Sequence, residues 1–134
     1  MIHIYNLISP YVEEQEHGIF FYNDEDKTFG YYLPEGADES LQPAVFSILA
    51  ESGRRLFTDR EVRMWIKDRI VPPERQNIGE ILRNVGIEEY DEFEILRFCK
   101  GRSCMDAFEM EDTDMTYEEL QSLIEEEKDR IERV

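Results

Sequence analysis

The sequence predicts a single α+β domain in which a small antiparallel sheet packs with four to five helices. Three observations favour this fold class. The 134 residues suit one domain, strand-like aromatic and alternating segments lie near the N-terminus, and apolar residues at helical spacing follow. A hydrophobic fraction of 41%, with 8 Phe, 7 Tyr and 1 Trp, is enough for a core and excludes a disordered acidic tail.

The predicted sheet comes from the start of the chain. Residues 2–8 alternate between two faces and predict a first strand. The aromatic runs 19–22 and 29–33 predict two more strands, and the polar segment 23–27 between them predicts a hairpin turn. Because a two-stranded hairpin is marginal alone, we expect it to pair with the first strand or to cover a helix. A weak alternation over residues 106–110 indicates a further short strand.

Two helices are predicted after the sheet. Residues 41–52 place apolar side chains on one stripe and end at Gly53, a residue type common just after helices. The next helix begins at Thr58, which has capping-box spacing with Glu61. The Pro72–Pro73 pair prevents this helix from continuing, because proline clashes with the preceding turn.

Three more helices are predicted towards the C-terminus. One extends from Pro73 to Gly86, and a shorter one covers residues 90–100. In the last helix, Thr116 and Glu119 form another capping box ahead of an amphipathic stripe. We expect this helix to dock either on the core of the chain or on a partner. The single domain then has three parts, an acidic β-rich part with the first helix (1–53), a helical part (54–110), and an acidic linker with the C-terminal helix (111–134).

The chain is strongly acidic, and its charge is unevenly distributed. With 32 acidic and 15 basic residues, its formal net charge is −17. Residues 1–53 carry −9, residues 54–102 carry +1 and residues 103–134 carry −9. Binding to phosphates or to anionic lipid needs an excess of Lys and Arg, so the charge argues against a general nucleic-acid binder and against a peripheral membrane protein.

The central helices leave a helix-turn-helix to consider. Residues 54–83 hold eight basic and five acidic residues, a local charge of +3. The turn after the first of these helices is Val-Pro-Pro, however, and the charge of the whole chain opposes the approach of phosphate. We therefore expect no direct binding of nucleic acid.

No targeting, catalytic or metal-binding motif is recognisable. The N-terminus lacks the basic and apolar regions of a signal peptide, so we expect a cytoplasmic protein with no membrane association and with Cys99 and Cys104 as free thiols. His3 and His17 are too few and too distant in sequence for a zinc site, although the fold could bring a cysteine to His17. The acidic loop 106–114 lacks the calcium-binding pattern with its glycine. We expect no catalytic residue, no metal and no cofactor, and a hydrolase is a distant alternative.

The segment Trp65-Ile66-Lys67-Asp68-Arg69-Ile70-Val71-Pro72-Pro73-Glu74-Arg75 has the pattern W-x-x-x-R-x-[IV]-P-x-x-R. It resembles a domain that precedes the kinase lobes in some HipA-type serine/threonine kinases of Firmicutes. The resemblance covers residues 58–110 and ends at Gly101–Phe108, which is similar to G-L-S-x-x-D-x-Y, with Arg102 and Phe108 replacing the usual Leu and Tyr. The residues that carry the motif are Trp65, Arg69, Pro72, Arg75, Gly101, Ser103 and Asp106.

This resemblance implies a freestanding relative of a regulatory or recognition module. No kinase lobes follow in the 134 residues, and no G-x-G-x-x-G or Walker motif is present to hold phosphates. From the residues themselves, Trp65 is expected to be a core anchor, and Arg69 and Arg75 to tie helix ends to carboxylates such as Glu74 or Asp106. A binding role for the two arginines is the alternative.

The acidic ends lead to a hypothesis about function. A charge of −17 exceeds the ~2–8 that suffices for the solubility of a small domain, and ordered carboxylates can imitate phosphates and steer the chain onto a basic surface. We expect a non-enzymatic protein that inhibits or regulates a basic, nucleic-acid-binding partner such as a nuclease, as anti-CRISPR or antirestriction proteins of phages and mobile elements do. A stand-alone regulatory or antitoxin-like subunit of a HipA-type kinase module is the alternative, and a homodimer is left open. The residues expected to contact the partner are Glu13, Glu14, Glu16, Asp24, Glu25, Asp26, Glu111, Asp112, Asp114 and Glu118.

Overall fold

Strands dominate the first part of the chain and helices most of the remainder. The computed structural model describes residues 1–13, 17–104 and 106–132. The strands are β1 (Ile2–Ile8), β2 (Gly18–Asn23), β3 (Thr28–Tyr32), β4 (Leu56–Phe57) and β5 (Glu109–Asp112). The helices are α1 (Ala44–Ala50), α2 (Asp59–Ile66), α3 (Ile78–Asn84), α4 (Glu92–Phe98) and α5 (Tyr117–Glu132), and a single 3₁₀ turn (Glu39–Leu41) precedes α1.

The five strands form one sheet in the order β4-β3-β2-β1-β5, in which neighbouring strands are antiparallel. The predicted hairpin is β2–β3, with Asn23 opposite Thr28 across its turn. The hairpin pairs with β1, which is one of the two arrangements expected from the sequence. The sequence did not predict β4, because two residues are too short to show an alternation.

Both faces of the sheet are buried. Successive side chains of a strand point to opposite faces, and each face here has its own set of apolar residues. One face joins the larger core with α1, α2 and α4 and carries Leu7, Phe20, Tyr22, Phe29 and Tyr31. The opposite face joins a smaller cluster and carries Ile2, Ile4, Ile19, Phe21 and Tyr32. Burial on both faces explains why β2 and β3 are nearly continuous aromatic runs rather than polar and apolar alternations.

Tyr31 lies at the centre of the larger core. Its ring stacks on Phe46 of α1 with the ring centroids 4.1 Å apart, and its hydroxyl donates a hydrogen bond of 2.8 Å to Gln42 Oε1. Complete burial raises the pKa of the Tyr31 hydroxyl. Gly18 faces this ring from β2, where an added Cβ atom would lie 1.6 Å from the Tyr31 hydroxyl oxygen. Only glycine fits at that position unless the tyrosine moves.

Helix α5 docks on the second face of the sheet of its own chain. Leu120 is 1% exposed and packs with Ile19 and Tyr32. Towards the end of the helix, Glu127 is buried and paired with Arg130, which also donates a 2.7 Å hydrogen bond to the carbonyl of Gly53. The last helix therefore docks on the core of its own chain, which is one of the two arrangements expected from the sequence. Within the described residues, no helix has both the length and the apolar character needed to cross a membrane.

Helix α2 begins and packs as predicted. Thr58 is its N-cap, and the reciprocal hydrogen bonds with Glu61 form a complete capping box. The buried stripe consists of Val62, Trp65 and Ile66. The capping box of α5 also forms, since the Glu119 amide donates to Thr116 Oγ1 over 3.2 Å. Local start signals were therefore reliable for these two helices, because a cap depends on neighbouring residues alone.

Two helices are shorter than the sequence predicted. Helix α1 was expected from residue 41, but it begins at Ala44 because Pro43 disfavours helical backbone at the residue before it. The third predicted helix was expected from Pro73, but α3 begins only at Ile78, after a run of exposed turns. Residues 73–77 contain no apolar side chain to bury beyond the proline, so packing does not stabilise a helix there. Gly53 and Gly86 follow the two helices with φ angles of 89° and 77°, which glycine adopts without strain.

Two further boundaries differ from the prediction. The short strand expected over residues 106–110 is β5, which begins three residues later at Glu109 and includes part of the expected acidic linker. Pairing with β1 extends the strand, so its end depends on a neighbour distant in sequence. Helix α4 was expected from residue 90 but begins at Glu92 behind the cap Asp91, and Phe98 at its end is 62% exposed.

Candidate functional site

The motif residues of the central segment converge on the side chain of Arg69, which is 4% exposed. Its guanidinium forms two hydrogen bonds of 2.8 Å with the carboxylate of Asp106. It also donates to the carbonyls of Gly101 and Phe108 over 2.7 and 3.2 Å. The guanidinium carbon lies 4.6 Å from the centroid of the Trp65 ring, which places the cation over the aromatic face. These contacts form one cluster, called the Arg69 cluster below.

The Arg69 cluster joins the end of α2 to the segment that leads into β5. Hydrogen bonding to Arg69 lowers the pKa of Asp106, because the bonds favour the ionised carboxylate. The pairing of Arg69 with Asp106 is one of those expected from the sequence. Because Arg69 is buried, its N–H groups form hydrogen bonds within the chain. The arrangement supports a structural role for this arginine.

The other motif residues lie outside the Arg69 cluster. Arg75 is exposed, its backbone amide donates to the carbonyl of Pro72 over 3.2 Å, and no ion pair of the described residues includes its side chain. Pro72 is also exposed, whereas Ser103 is half-buried. The two motif arginines therefore have different surroundings, and Arg75 is available at the surface.

The first group of acidic site residues lies around the β2–β3 turn. Asp24, Glu25 and Asp26 are all exposed. Asp24 accepts a 2.9 Å hydrogen bond from the terminal amino group of Met1 and lies 2.9 Å from His3 Nε2. These hydrogen bonds lower the pKa of Asp24. The turn is therefore tied to the start of β1 while its carboxylates face solvent.

The second group of acidic site residues extends from β5 into the first turn of α5. Glu111, Asp112, Asp114 and Glu118 are exposed, and none of them forms an ion pair with another described residue. Strand β5 holds the first two, and the first turn of α5 holds Glu118. Glu13 lies in the connection between β1 and β2, away from both groups, and Glu14 and Glu16 lie outside the described residues.

Strand direction brings the two acidic groups together. Strands β2 and β5 both run antiparallel to β1, so their C-terminal ends lie at the same end of the sheet. Only β1 separates them, which is about 10 Å across the sheet at the usual strand spacing, and because Asn23 lies opposite Ile2 and Asp112 opposite Tyr5, the two strand ends are also offset by about 10 Å along β1. Burial raises the pKa of Tyr22, with contributions from the negative charges of Asp91 and Asp24, so the cap of α4 adds charge to the same region. We call this region the acidic end and define it by Asp24, Glu25, Asp26, Glu111, Asp112 and Asp114.

Half of the described basic residues form ion pairs within the chain. Among the described residues, seven arginines form ion pairs with carboxylates. Arg63 is an example, since it pairs with both Asp59 and Glu92 and lies over the ring of Phe29. Within the described residues, the other lysines and arginines form no ion pair, and at the acidic end Asp24 and Glu25 pair with the terminal amino group of Met1.

A groove of 540 Å³ follows the outer side of β5. Its apolar lining residues are Tyr5 and Met110, and its charged lining residues come from α4, the segment after it and β5. Its charged lining residues are Arg97, Lys100, Arg102, Glu109, Glu111 and Asp112. Sequence reasoning missed this groove because residues 111–114 were assigned to a linker, and no local pattern signals that β5 is an edge strand.

The histidines and cysteines form no joint site. His17 Nε2 lies 3.2 Å from the carbonyl of Val12, and Cys99 Sγ donates to the carbonyl of Leu96 over 3.3 Å. Cys99 and Cys104 are free thiols. Within the described residues, no three His, Cys, Asp or Glu side chains are grouped closely enough to hold a metal ion.

Comparisons with family models, curated proteins and solved structures find no match for this chain. The HipA-type resemblance therefore depends on the motif residues, of which Trp65, Arg69, Gly101 and Asp106 meet in the Arg69 cluster.

Proposed function

We propose that this chain is a non-enzymatic, cytoplasmic interaction protein that binds a basic partner through its acidic end and inhibits or regulates it. The carrying observation is the grouping of exposed carboxylates. The acidic end presents them from two distant parts of the sequence, while seven arginines form ion pairs with other carboxylates of the chain.

The physical argument concerns the cost of concentrating like charge. Carboxylates grouped at one end of the sheet repel one another, and a basic surface would relieve that repulsion on binding. The same field would steer the partner into contact and raise the rate of association at low salt. A surface that normally binds nucleic-acid phosphates has the required excess of Lys and Arg. A nuclease or another nucleic-acid-binding protein of a bacterial host or phage is the partner class that best fits this surface.

A matched pair of charge variants tests the role of the acidic end. The first variant neutralises Glu25, Asp112 and Asp114 as Gln, Asn and Asn. The control neutralises Glu35, Glu51 and Asp129, three exposed carboxylates with no ion pair among the described residues. The control residues lie near the opposite end of the sheet, where Arg130 bonds to the carbonyl of Gly53.

Affinity capture from host cells, followed by mass spectrometry, is to be done with the wild type and both variants. We expect a basic partner that the control retains and the acidic-end variant loses. Binding should weaken steeply between about 50 and 200 mM salt, and nucleic acid should compete for the partner. Equal capture by the two variants, or binding that does not respond to salt, would show that the acidic end is not the binding surface.

A second proposal is a regulatory or antitoxin-like subunit of a HipA-type kinase module. The contacts of Trp65, Gly101 and Asp106 with Arg69 support it, since residues distant in the motif meet at one place in the fold. Binding would use surface residues beside this unit, such as Arg75, which is exposed. A kinase gene adjacent to the coding gene, and kinase binding lost on Arg75→Ala, are the expected results. A neighbourhood of phage genes without a kinase would count against this proposal.

A further inference from the structure

A polar groove of about 690 Å³ lies at the start of α3. None of its lining residues belongs to the acidic end, to the groove along β5 or to the Arg69 cluster. We call it the α3 groove. One of its lining residues is a glycine and the others have polar side chains; they are Arg75, Gln76, Asn77, Gly79, Glu80 and Arg83.

Two of the cations that the chain leaves unpaired line the α3 groove. Seven arginines of the described residues form ion pairs, and the three that form none are Arg60, Arg75 and Arg83. Arg75 and Arg83 are both exposed, and both lie in this groove. The groove therefore holds positive charge that no ion pair of the described residues neutralises.

The side chain of Arg83 reaches back along α3 towards the start of the helix. Residues 79 and 83 are four apart and share one face of the helix, and a Cβ atom added to Gly79 would lie 3.9 Å from Arg83 Nη1. The guanidinium group of Arg83 therefore lies over the first turn of α3. Arg75 precedes that turn, and its carbonyl accepts a 3.0 Å hydrogen bond from the Ile78 amide. Gly79 leaves space beside Arg83 that a larger side chain would fill.

The amide side chains of the groove are also free to donate. Asn77 directly precedes α3, and its side chain forms no capping hydrogen bond. Gln76 is exposed, and no hydrogen bond of the described residues includes its side chain. Among the described lining residues, Glu80 is the one carboxylate, and it forms no ion pair with another described residue. Hydrogen-bond donors therefore outnumber acceptors in the α3 groove.

Two guanidinium groups and two amides suit an anion that has more than two acceptor oxygens. A carboxylate has two oxygens and one negative charge, which a single planar guanidinium group satisfies. A phosphate monoester has three terminal oxygens and carries about −1.5 to −2 at pH 7, so it matches two arginines in both charge and acceptors. A nucleic-acid duplex fits less well, because its further phosphates would extend beyond the groove over a chain of net charge −17.

We propose that the α3 groove binds a dianionic phosphate group, with Arg75 and Arg83 as the cationic donors and with the side-chain amides of Gln76 and Asn77 as further donors. A phosphorylated side chain of a partner protein and a small phosphate ligand share this chemistry. This inference goes beyond the proposed function, because it uses positive charge outside the acidic end.

Short ligands test the recognition of phosphate. The ¹⁵N-labelled full chain is titrated at low salt with a blocked peptide Gly-Gly-phosphoserine-Gly-Gly, and with two controls that contain serine or glutamate at the centre. We expect amide shifts at Asn77, Gly79 and Glu80 with the phosphopeptide and no binding of the serine peptide. The glutamate peptide, with one charge and two oxygens, should bind at least about tenfold more weakly than the phosphopeptide.

Inorganic phosphate, titrated in the same way, distinguishes the two sources of the phosphate group. Binding at least as tight as that of the phosphopeptide would support a small phosphate ligand. Tighter binding of the phosphopeptide would support a phosphorylated partner protein, because its main chain then adds contacts. The absence of binding by both ligands would overturn the proposal.

Two double variants separate the groove from general positive charge. Arg75→Gln combined with Arg83→Gln removes two charges from the groove and should weaken phosphopeptide binding at least about tenfold. The matched control combines Arg60→Gln with Lys67→Gln, which removes two exposed charges of α2 that have no ion pair among the described residues. We expect the control to change binding less than about twofold, because exposed charges outside the site are screened by salt.

Two single variants test the shape and charge of the groove without removing an arginine. Gly79→Leu retains every charge and fills the space beside Arg83, so it should weaken binding of the phosphopeptide. Glu80→Gln removes a carboxylate from the lining and should tighten binding, because less repulsion opposes the dianion.

Four results would each overturn the proposal. These are equal binding of the phosphoserine and glutamate peptides, equal losses in the two double variants, unchanged binding in both single variants, and tighter binding of a short DNA duplex than of the phosphopeptide. The last result would indicate a nucleic-acid surface instead. None of these results depends on whether the acidic end binds a basic partner, since each titration uses the chain and a small ligand alone.

Discussion

Replacing Arg69 by methionine should destabilise the fold strongly, because this side chain is 4% exposed and bonds to three separate groups. Methionine retains much of the apolar stem beside Trp65 and removes the charge and all donors. The carbonyls of Gly101 and Phe108 then lose the guanidinium donor, and the Asp106 carboxylate keeps the 3.0 Å hydrogen bond from the Phe108 amide. Removing one member of a buried ion pair costs about 3–5 kcal/mol. Asp106 is 32% exposed and can be partly rehydrated, so we expect a loss of about 3 kcal/mol, near the lower limit of that range.

Equilibrium unfolding in urea measures this loss. Trp65 is the one tryptophan of the chain and lies in contact with the perturbed group, so its fluorescence reports unfolding directly. The control is Arg75→Met at the other motif arginine, which is exposed and should change the unfolding free energy by less than about 0.5 kcal/mol. A loss below about 1 kcal/mol for Arg69→Met, or equal losses for the two variants, would refute a structural role for the Arg69 cluster.

The pH dependence supplies an independent check. Arg69 lowers the pKa of Asp106 in the folded state, so the folded state holds the ionised carboxylate more strongly than the unfolded chain does. This contribution is fully present above the ordinary aspartate pKa of about 3.9 and is lost as the pH falls towards the lower folded value. The difference in stability between wild type and Arg69→Met should therefore shrink below about pH 4. A difference that stays constant down to about pH 2.5 would contradict the assignment.

Two further predictions concern other parts of the fold. The pKa of Glu61 is lowered to about 2, chiefly by its hydrogen bonds with Arg54. Its contribution to the free energy of unfolding is present above the ordinary glutamate pKa of about 4.3 and is lost as the pH falls towards 2. Glu61→Gln should therefore cost about 1–2 kcal/mol of stability at neutral pH and make the loss of stability in acid less steep. Identical acid unfolding of variant and wild type would disprove this. Leu120→Ala should cost about 2–4 kcal/mol in urea unfolding because Leu120 of α5 is 1% exposed and packs on the sheet. Ile131→Ala on the same helix, at a residue 52% exposed, should cost less than about 0.5 kcal/mol, and equal losses would show that α5 does not depend on this docking.

Elements with local signals were predicted well. The capping boxes at Thr58 and Thr116 and the aromatic hairpin form as expected, because caps and tight turns depend on residues close in sequence. Boundaries set by distant contacts were predicted less well. Strand β5 ends where pairing with β1 ends, and the exposure of Phe98 depends on which elements lie beside α4.

For the candidate site too, residue types could be predicted from the sequence, whereas their spatial arrangement could not. The acidic residues and the motif arginines were visible in the sequence, but their grouping was not. The order β2-β1-β5 brings carboxylates separated by almost ninety residues to one end of the sheet, and it leaves Glu13 elsewhere. The two motif arginines look alike in sequence, whereas one is enclosed by its partners and the other is exposed.

By itself, the sequence determined composition, charge, local caps and the periodicity of the strands and helices, since these follow from residue type and spacing. It therefore established an acidic α+β domain. The tertiary structure alone decided that α5 covers its own sheet, that Arg69 is used internally, and that β5 is an edge strand. Each of these depends on strand order and register, which arise from long-range packing and cannot be read from neighbouring residues.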